Sequence, residues 1–328
     1  MKKEEYLKKL KFQLIDFPGE DLKQIEDFYE ELIYDGLDQG YTEEEILARF
    51  ETPEEVAKKI RAEYGGIVVY TAKSASREKK KLEYESSELI HTVKVETENL
   101  RIRIRTVEDG PVRVYFKPKE GQDLITFEEK DGIFSFKHQM KSHPLHLNWL
   151  NLFLDFNILV LELPMNFAGN LWLKTSNGAI RVSGLSDLTK AELFSNNGKI
   201  SIENCQINDL QIHTGNAKIE LNNVRGESLD ASTGNGLVTA KECCFADNLM
   251  LVTQNGAVTG RNIAGSHIVL KTSNGIVNGT IKGKKEEYNI SSMTRNGFNN
   301  LESICEPDRE KKLEVKTNNG QIKVEFAE

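Results

Sequence analysis

Histidines, cysteines and carboxylates are the groups from which a site is built, and few of them stand together in this chain. His143-x-x-His146 is the close histidine pair, beside Trp149, and no carboxylate or cysteine stands at ligand spacing from it. A zinc site takes about four donors, so no metal is expected there. Four cysteines occur, at 205, 243, 244 and 305. Vicinal Cys243-Cys244 could do redox chemistry, but its neighbourhood offers too few further ligands for zinc. Acid–base work needs carboxylates or bases gathered on one face. The chain also has no Gly-x-Ser-x-Gly, phosphate loop or dinucleotide fingerprint. The expectation is a protein that is not an enzyme, with no catalytic residue, no metal and no cofactor.

The strongest pattern is a repeat. Asn-Gly recurs at Asn177, Asn197, Asn235, Asn255, Asn274, Asn296 and Asn319, with Asn216-Ala217 in the remaining slot. The spacings are 20, 19, 19, 20, 19, 22 and 23. Two residues before each Asn stands a hydroxyl: Thr175, Ser195, Thr214, Thr233, Thr253, Thr272, Thr294 and Thr317. Aliphatic columns stand six and four before, and three and five after, as at Leu171, Leu173, Ile180 and Val182. Offsets of two are strand alternation, and self-similarity at a fixed period means stacked rungs. The reading is a parallel β-solenoid of about eight rungs of 19–20 residues, with aliphatic columns inside. Asn-Gly would supply positive φ at the corner. A calcium-binding solenoid needs a recurring Asp, and none recurs here. Cys205 and Cys243 fall in the column of Leu185, Val224 and Ile263, which reads them as small buried hydrophobes. The outward acids Glu192, Asp230 and Glu314 are not on adjacent rungs.

Upstream of the repeat the pattern changes twice. Residues 1–72 read as an acidic four-helix domain. Tyr6, Leu7, Leu10 and Leu14 recur at helical spacing, as do Leu22, Ile25, Phe28, Tyr29, Leu32 and Ile33. Thr42 with Glu45, and Thr52-Pro53-Glu54-Glu55, signal two helix starts. Residues 73–90 read as a charged linker. From 91 the period is two, with an Asp131-Gly132 hairpin signal, so 91–165 reads as antiparallel or capping strands before the solenoid at 166–328. The fold class is α+β. The last strand, Gln321–Phe326, shows no cap, and open edges could stack chain on chain.

Of 328 residues, 43 are Lys or Arg and 51 Asp or Glu, a net charge of -8. Residues 1–64 hold ten basic and eighteen acidic residues, so the acidity belongs to them alone. No apolar run reaches the ~20 residues that span a bilayer. The amino terminus lacks the apolar stretch of a secretory signal, and four cysteines fit a reducing compartment. The cytoplasm is therefore the expected location. Acidity and the lack of aromatic interleaving in the basic run 77–81 argue against nucleic acid.

Two surfaces are candidates for partners. Glu26, Asp27, Glu30, Glu31, Asp35 and Asp38 would attract a basic protein segment or a cationic peptide, with salt weakening the attraction; the alternative is that they only keep a small helical domain soluble. On the solenoid, outward positions hold Trp172, Phe194, Met250, Val252, Val269 and Met293. An exposed apolar strip there suggests a docking surface, unless the 91–163 sheet or the helical domain covers it. The alternatives are a self-assembling structural scaffold and a surface or carbohydrate adhesin; adhesion would need outward aromatic platforms, for which Trp172 with Phe194 is thin support.

Two resemblances cover nearly the whole chain. Lys3-Glu4-Glu5-Tyr6-Leu7, Phe28-Tyr29-Glu30-Glu31 and Glu51-Thr52-Pro53-Glu54-Glu55-Val56-Ala57-Lys58 resemble the HAAS-type signalling domain of Gram-positive bacteria. Val160-Leu161-Glu162-Leu163-Pro164 followed by Thr-Ser-Asn-Gly at 175–178 and 272–275 is similar to the bacterial "putative adhesin" solenoid family. The domain order resembles Lia-type cell-envelope stress proteins. That resemblance implies antimicrobial-peptide sensing, a membrane-associated sensor protein as partner and action at the membrane or cell surface. It implies no enzyme.

Overall fold

The structure, a computed structural model, describes residues 2–15, 22, 25–26, 29, 33, 42–63, 82–87, 89–116, 123–140 and 158–327. The chain divides into two compact units, Met1–Glu78 and Lys79–Glu328.

In the first unit α1 (Lys3–Gln13), α2 (Glu43–Arg49) and α3 (Pro53–Glu63) are helices. Leu22, Ile25, Glu26, Tyr29 and Ile33 are helical between α1 and α2. Tyr6, Leu7, Leu10, Leu14, Ile25, Tyr29 and Ile33 are buried, as their spacing requires. Both start signals act as capping boxes. Thr42 Oγ1 accepts from Glu45 N, and Glu45 Oε2 accepts from Thr42 N at 2.8 Å. Thr52 and Glu55 make the same reciprocal pair. Tyr6, Tyr29 and Phe50 meet with ring centroids 5.4–5.9 Å apart. The Tyr6 hydroxyl donates to Glu51 O at 2.9 Å, which meets the polar requirement of a buried phenol.

Among the described residues the second unit is a curled, mainly parallel sheet of twenty strands. Its first seven are β1 (Leu82–Glu85), β2 (Thr92–Thr97), β3 (Arg101–Val107), β4 (Arg113–Tyr115), β5 (Asp123–Lys130), β6 (Ile133–Met140) and β7 (Ile158–Pro164). The repeat supplies β8 (Asn170–Thr175), β9 (Ile180–Ser183), β10 (Leu188–Ser195), β11 (Ile200–Thr214), β12 (Ile219–Thr233), β13 (Val238–Lys241) and β14 (Cys244–Thr253). It ends with β15 (Val258–Ile263), β16 (His267–Lys271), β17 (Val277–Lys282), β18 (Tyr288–Asn296), β19 (Lys311–Asn319) and β20 (Ile322–Ala327).

Strand pairing falls into two ladders. Strands that precede an Asn corner run β2–β8–β10–β11–β12–β14–β16. Those that follow it run β3–β9–β11–β12–β13–β15–β17. All these pairs are parallel, and like offsets face each other, as in Leu193↔Ile212 and Ile202↔Leu221. The aliphatic columns are the core: Leu171, Leu173, Ile180, Val182 and their aliphatic counterparts are at most 5% exposed. Burying each such side chain contributes roughly 1.5–3 kcal/mol.

Four expectations change. First, β2 and β3 are not antiparallel capping strands; they form a parallel rung around Asn99, with Thr97 in the hydroxyl column and Val93, Val95, Ile102 and Ile104 buried. Among the described strands antiparallel pairing is confined to β5–β6, closed by Asp131 and Gly132 at φ 53° and 71°, and to β1–β4–β7. Second, the end of the expected linker is strand β1, held because Tyr84 stacks on Phe134 with ring centroids 4.6 Å apart; residues 73–81 lie outside the described set. Third, the last rung is out of order. β19 pairs with β16 and β20 with β17, while β18 sits beyond β19 as the outer strand. The chain at 298–304 then covers both outer edges: Ile304 bridges Ile290, and Asn300 brackets Val324 through its side chain. The uncapped last strand expected from the sequence is therefore capped.

Fourth, the Asn-Gly corner does not use positive φ. That conformation lies seven residues later, at Gly184, Asn204, Asn223, Glu242 and Asn262. Glycine follows the corner Asn because the rungs touch there: a Cβ on Gly198 would lie 1.8 Å from the carbonyl oxygen of Gly178.

Candidate functional site

The corner asparagines form a single hydrogen-bonded ladder. Asn177 Nδ2 donates to Asn99 Oδ1 at 2.6 Å, and the same bond repeats through Asn197, Asn216, Asn235, Asn255 and Asn274 at 2.6–2.9 Å. It continues to Asn319 and then to Asn296. Beneath it, from Thr175 onward, each buried hydroxyl donates to a carbonyl of the neighbouring rung, as Thr214 Oγ1 does to Gly198 O at 3.3 Å. Between the two ends of the column each amide both donates to one neighbour and accepts from the next, so the ladder is a structural spine, and turn chemistry alone does not explain the Asn.

The outer face of the first ladder carries the predicted apolar positions. Met250 lies opposite Val269, with Val252 beside Ser232 and Lys271. Met250 and Val252 are half-buried, and Val269 is only 6% exposed. Trp172 and Phe194 form a second patch, ring centroids 6.4 Å apart. Gln211, His213, Asp230 and Ser232 separate the two. The structure thus brings the five residues together as two patches, not one strip. The 91–163 strands extend the stack from β8 instead of lying over it. Met293 is exposed on the outer strand.

Of the acidic candidates only Glu26 is described, and it is paired with Lys11 at 2.9 Å. Asp27, Glu30, Glu31, Asp35 and Asp38 lie outside the described residues, as do His143 and His146. Cys205 and Cys243 are buried, as their column requires, and burial pushes the Cys243 thiol up to about 11. Cys244 and Cys305 are exposed.

Sequence reasoning missed two features. Leu237, Ala257 and Ile276 follow the corner Asn by two and stack along one ridge, Leu237 and Ile276 being over 40% exposed; an offset-two column would have shown them. Glu162, buried on the second ladder's face, accepts from the Tyr115 hydroxyl at 2.8 Å and lies 3.6 Å from Arg105 and 3.9 Å from Arg113. Burial, then this carboxylate, raises the Tyr115 phenol. No helix among the described residues is long and apolar enough to cross a membrane.

These features define a repeat protein whose inward positions are filled by aliphatic columns. Residues 90–328 match the Toastrack DUF4097 family, and the chain belongs to it. Residues 5–59 match HAAS. Among solved structures the chain is similar to a putative cell adhesion protein from Clostridium sporogenes ATCC 15579, at 13% identity over 73% of this chain and 94% of that one, with a TM-score of 0.23. Among curated proteins none matches. The two domains indicate a regulatory or surface-interaction role.

Proposed function

We propose that the protein is a non-enzymatic regulator of the response to cell-envelope stress, in which the helical unit takes a basic partner and the solenoid presents a docking surface. The observation that carries this reading is the separation of charge: the net -8 resides in residues 1–64, and the rest of the chain is neutral overall. A small unit with that excess draws cationic peptides or basic juxtamembrane segments, while the Met250–Val252–Val269 patch offers apolar area to a protein. The Lia-type resemblance supplies the setting, at the membrane or the cell surface. The self-assembling scaffold is the weaker alternative, because the 298–304 segment covers the outer strand edges on which stacking would depend.

The test titrates the full chain with a lysine-rich amphipathic peptide at low and high salt. Binding is expected to weaken as salt rises, and to be lost when Glu26, Asp27, Glu30, Glu31, Asp35 and Asp38 are changed to Gln or Asn. Binding that ignores both changes refutes the assignment to the helical unit. Protease accessibility on intact cells then shows which side of the membrane the acidic unit occupies.

A further inference from the structure

A groove of about 570 Å³ crosses the outer face of β6, β2, β8 and β10. It is distinct from the Met250 patch, from which the polar residues of β11 and β12 separate it. Its wall is the half-buried indole of Trp172, which lies between Lys94 on β2 and Glu192 on β10. The charge around it is unbalanced. Lys190 is paired with Glu192 at 3.0 Å, and Lys174 with Glu96 at 3.1 Å. Lys94 and Lys137 also line the groove; both are exposed, and neither makes an ion pair among the described residues.

We infer that this groove binds an acidic polysaccharide, one sugar ring against Trp172 and the ligand's carboxylates at Lys94 and Lys137. Three features select this ligand. An indole offers the flat apolar area against which the C–H face of a pyranose packs. Sugar hydroxyls need both donors and acceptors, and Thr92, Ser135 and Asn170 supply either, while Glu96 and Glu192 accept. The groove lies on a sheet face, where no strand edge is open to peptide backbone, so an acidic peptide would lack the main-chain pairing it needs. Four strands at about 4.8 Å spacing span about 14 Å, which is room for a short run of linked rings.

The experiment measures binding of oligogalacturonate to the full chain by calorimetry, with neutral dextran and polyglutamate as comparison ligands. Oligogalacturonate alone should bind. Trp172→Ala should weaken it about tenfold, the worth of one aromatic contact, and Lys94→Gln with Lys137→Gln should weaken it by at least as much and remove its salt dependence. The lysine pair is exposed, so that variant reports on the groove even if Trp172→Ala unfolds. Equal binding of polyglutamate, no binding of oligogalacturonate, or binding indifferent to the lysine pair overturns the proposal. None of these outcomes bears on the helical unit's basic partner.

Discussion

Asn319 donates its side-chain amide to Asn274, 2.8 Å away and 45 positions upstream, and Asn296, which lies between them in sequence, is bonded at 2.7 Å to Asn319 instead. The final rung has been slipped between the sixth Asn-Gly rung and the strand that precedes it. The outer strand β18 is thereby held by a chain segment that must be laid down after it, and the 298–304 segment closes over both. Strand order along the ladder and strand order along the chain part company here, as they do at the other end of the stack, where β6 and β7 lie outside β2 and β3.

The ladder and the close approach beneath it make separable contributions. Gly236→Val would drive its side chain into the Ala217 carbonyl, where even a Cβ would lie 1.8 Å away, and should cost about 3 kcal/mol or more. Asn235→Ala removes one donor and one acceptor from an exposed column and should cost about 1 kcal/mol. Ala217, in the same slot, shows that a rung can shift to admit a methyl, so a branched side chain is the fair test. Urea unfolding of both variants checks the ranking; an Asn235→Ala cost equal to that of Gly236→Val would place the spine's strength in the amides.

Asn296 should be the first residue of the ladder to deamidate. The reaction requires the amide nitrogen of the next residue to attack the side-chain carbonyl and expel ammonia, after which water opens the ring. At each of the other Asn-Gly pairs of the ladder the side chain both donates to one neighbour and accepts from the next. Asn296 donates to Asn319 and accepts nothing among the described residues, and both it and Gly297 are exposed. Peptide mapping of aged native protein should find the change concentrated at 296. A uniform distribution over the seven Asn-Gly pairs of the ladder, Asn278-Gly279 on β17 standing outside it, would contradict the protection assigned to the ladder.

The thiols should divide evenly. Cys205 and Cys243 face the core, and burial raises both, Cys243 to about 11. Cys244 and Cys305 are exposed. The thiolate is the reacting form, so a thiol reagent near pH 8 should label two cysteines in the native chain and four in urea. Rapid labelling of Cys243, or a native Cys243–Cys244 disulfide, would restore the redox reading of the vicinal pair.

Much of this was legible because a repeat multiplies its own signal. Leu171, Leu193 and Leu251 are ordinary leucines singly, but at fixed offsets from an Asn they name the core. The first rung escaped for a local reason. Asn99 is followed by Leu100, so a search for Asn-Gly passes over it, although Val93, Val95, Thr97, Ile102 and Ile104 keep all the column offsets. Comparing columns would have found it. The role of glycine was misassigned because Asn-Gly carries two meanings, positive φ and absence of a Cβ, and spacing cannot choose between them. The displaced rung had only a faint trace, the lapses at Ser292 and Asn299, since sequence records chain order and not stacking order. For the outward surface, alternation says that Trp172 and Val252 face away from the core but not that two polar rungs divide them.

The displaced rung should leave a small signature in acid. Glu314 on β19 accepts from Lys271 on β16 at 2.6 Å, with His267 3.4 Å away. The Lys271 hydrogen bond is the main cause that holds this carboxyl below the ordinary carboxylate range. A carboxyl depressed in the fold binds fewer protons there than in the unfolded chain. Its stabilisation is therefore present above the unfolded pKa and is lost as pH falls through the folded one. The pair is partly exposed, so its worth is under about 1 kcal/mol. Glu314→Gln should lower stability slightly at pH 7, and the difference from wild type should vanish below the carboxylate range, where both chains carry a neutral side chain at 314. Urea midpoints taken across that range measure it. A deficit that persists undiminished in acid would mean that Glu314 holds β19 against β16 by packing and not by charge.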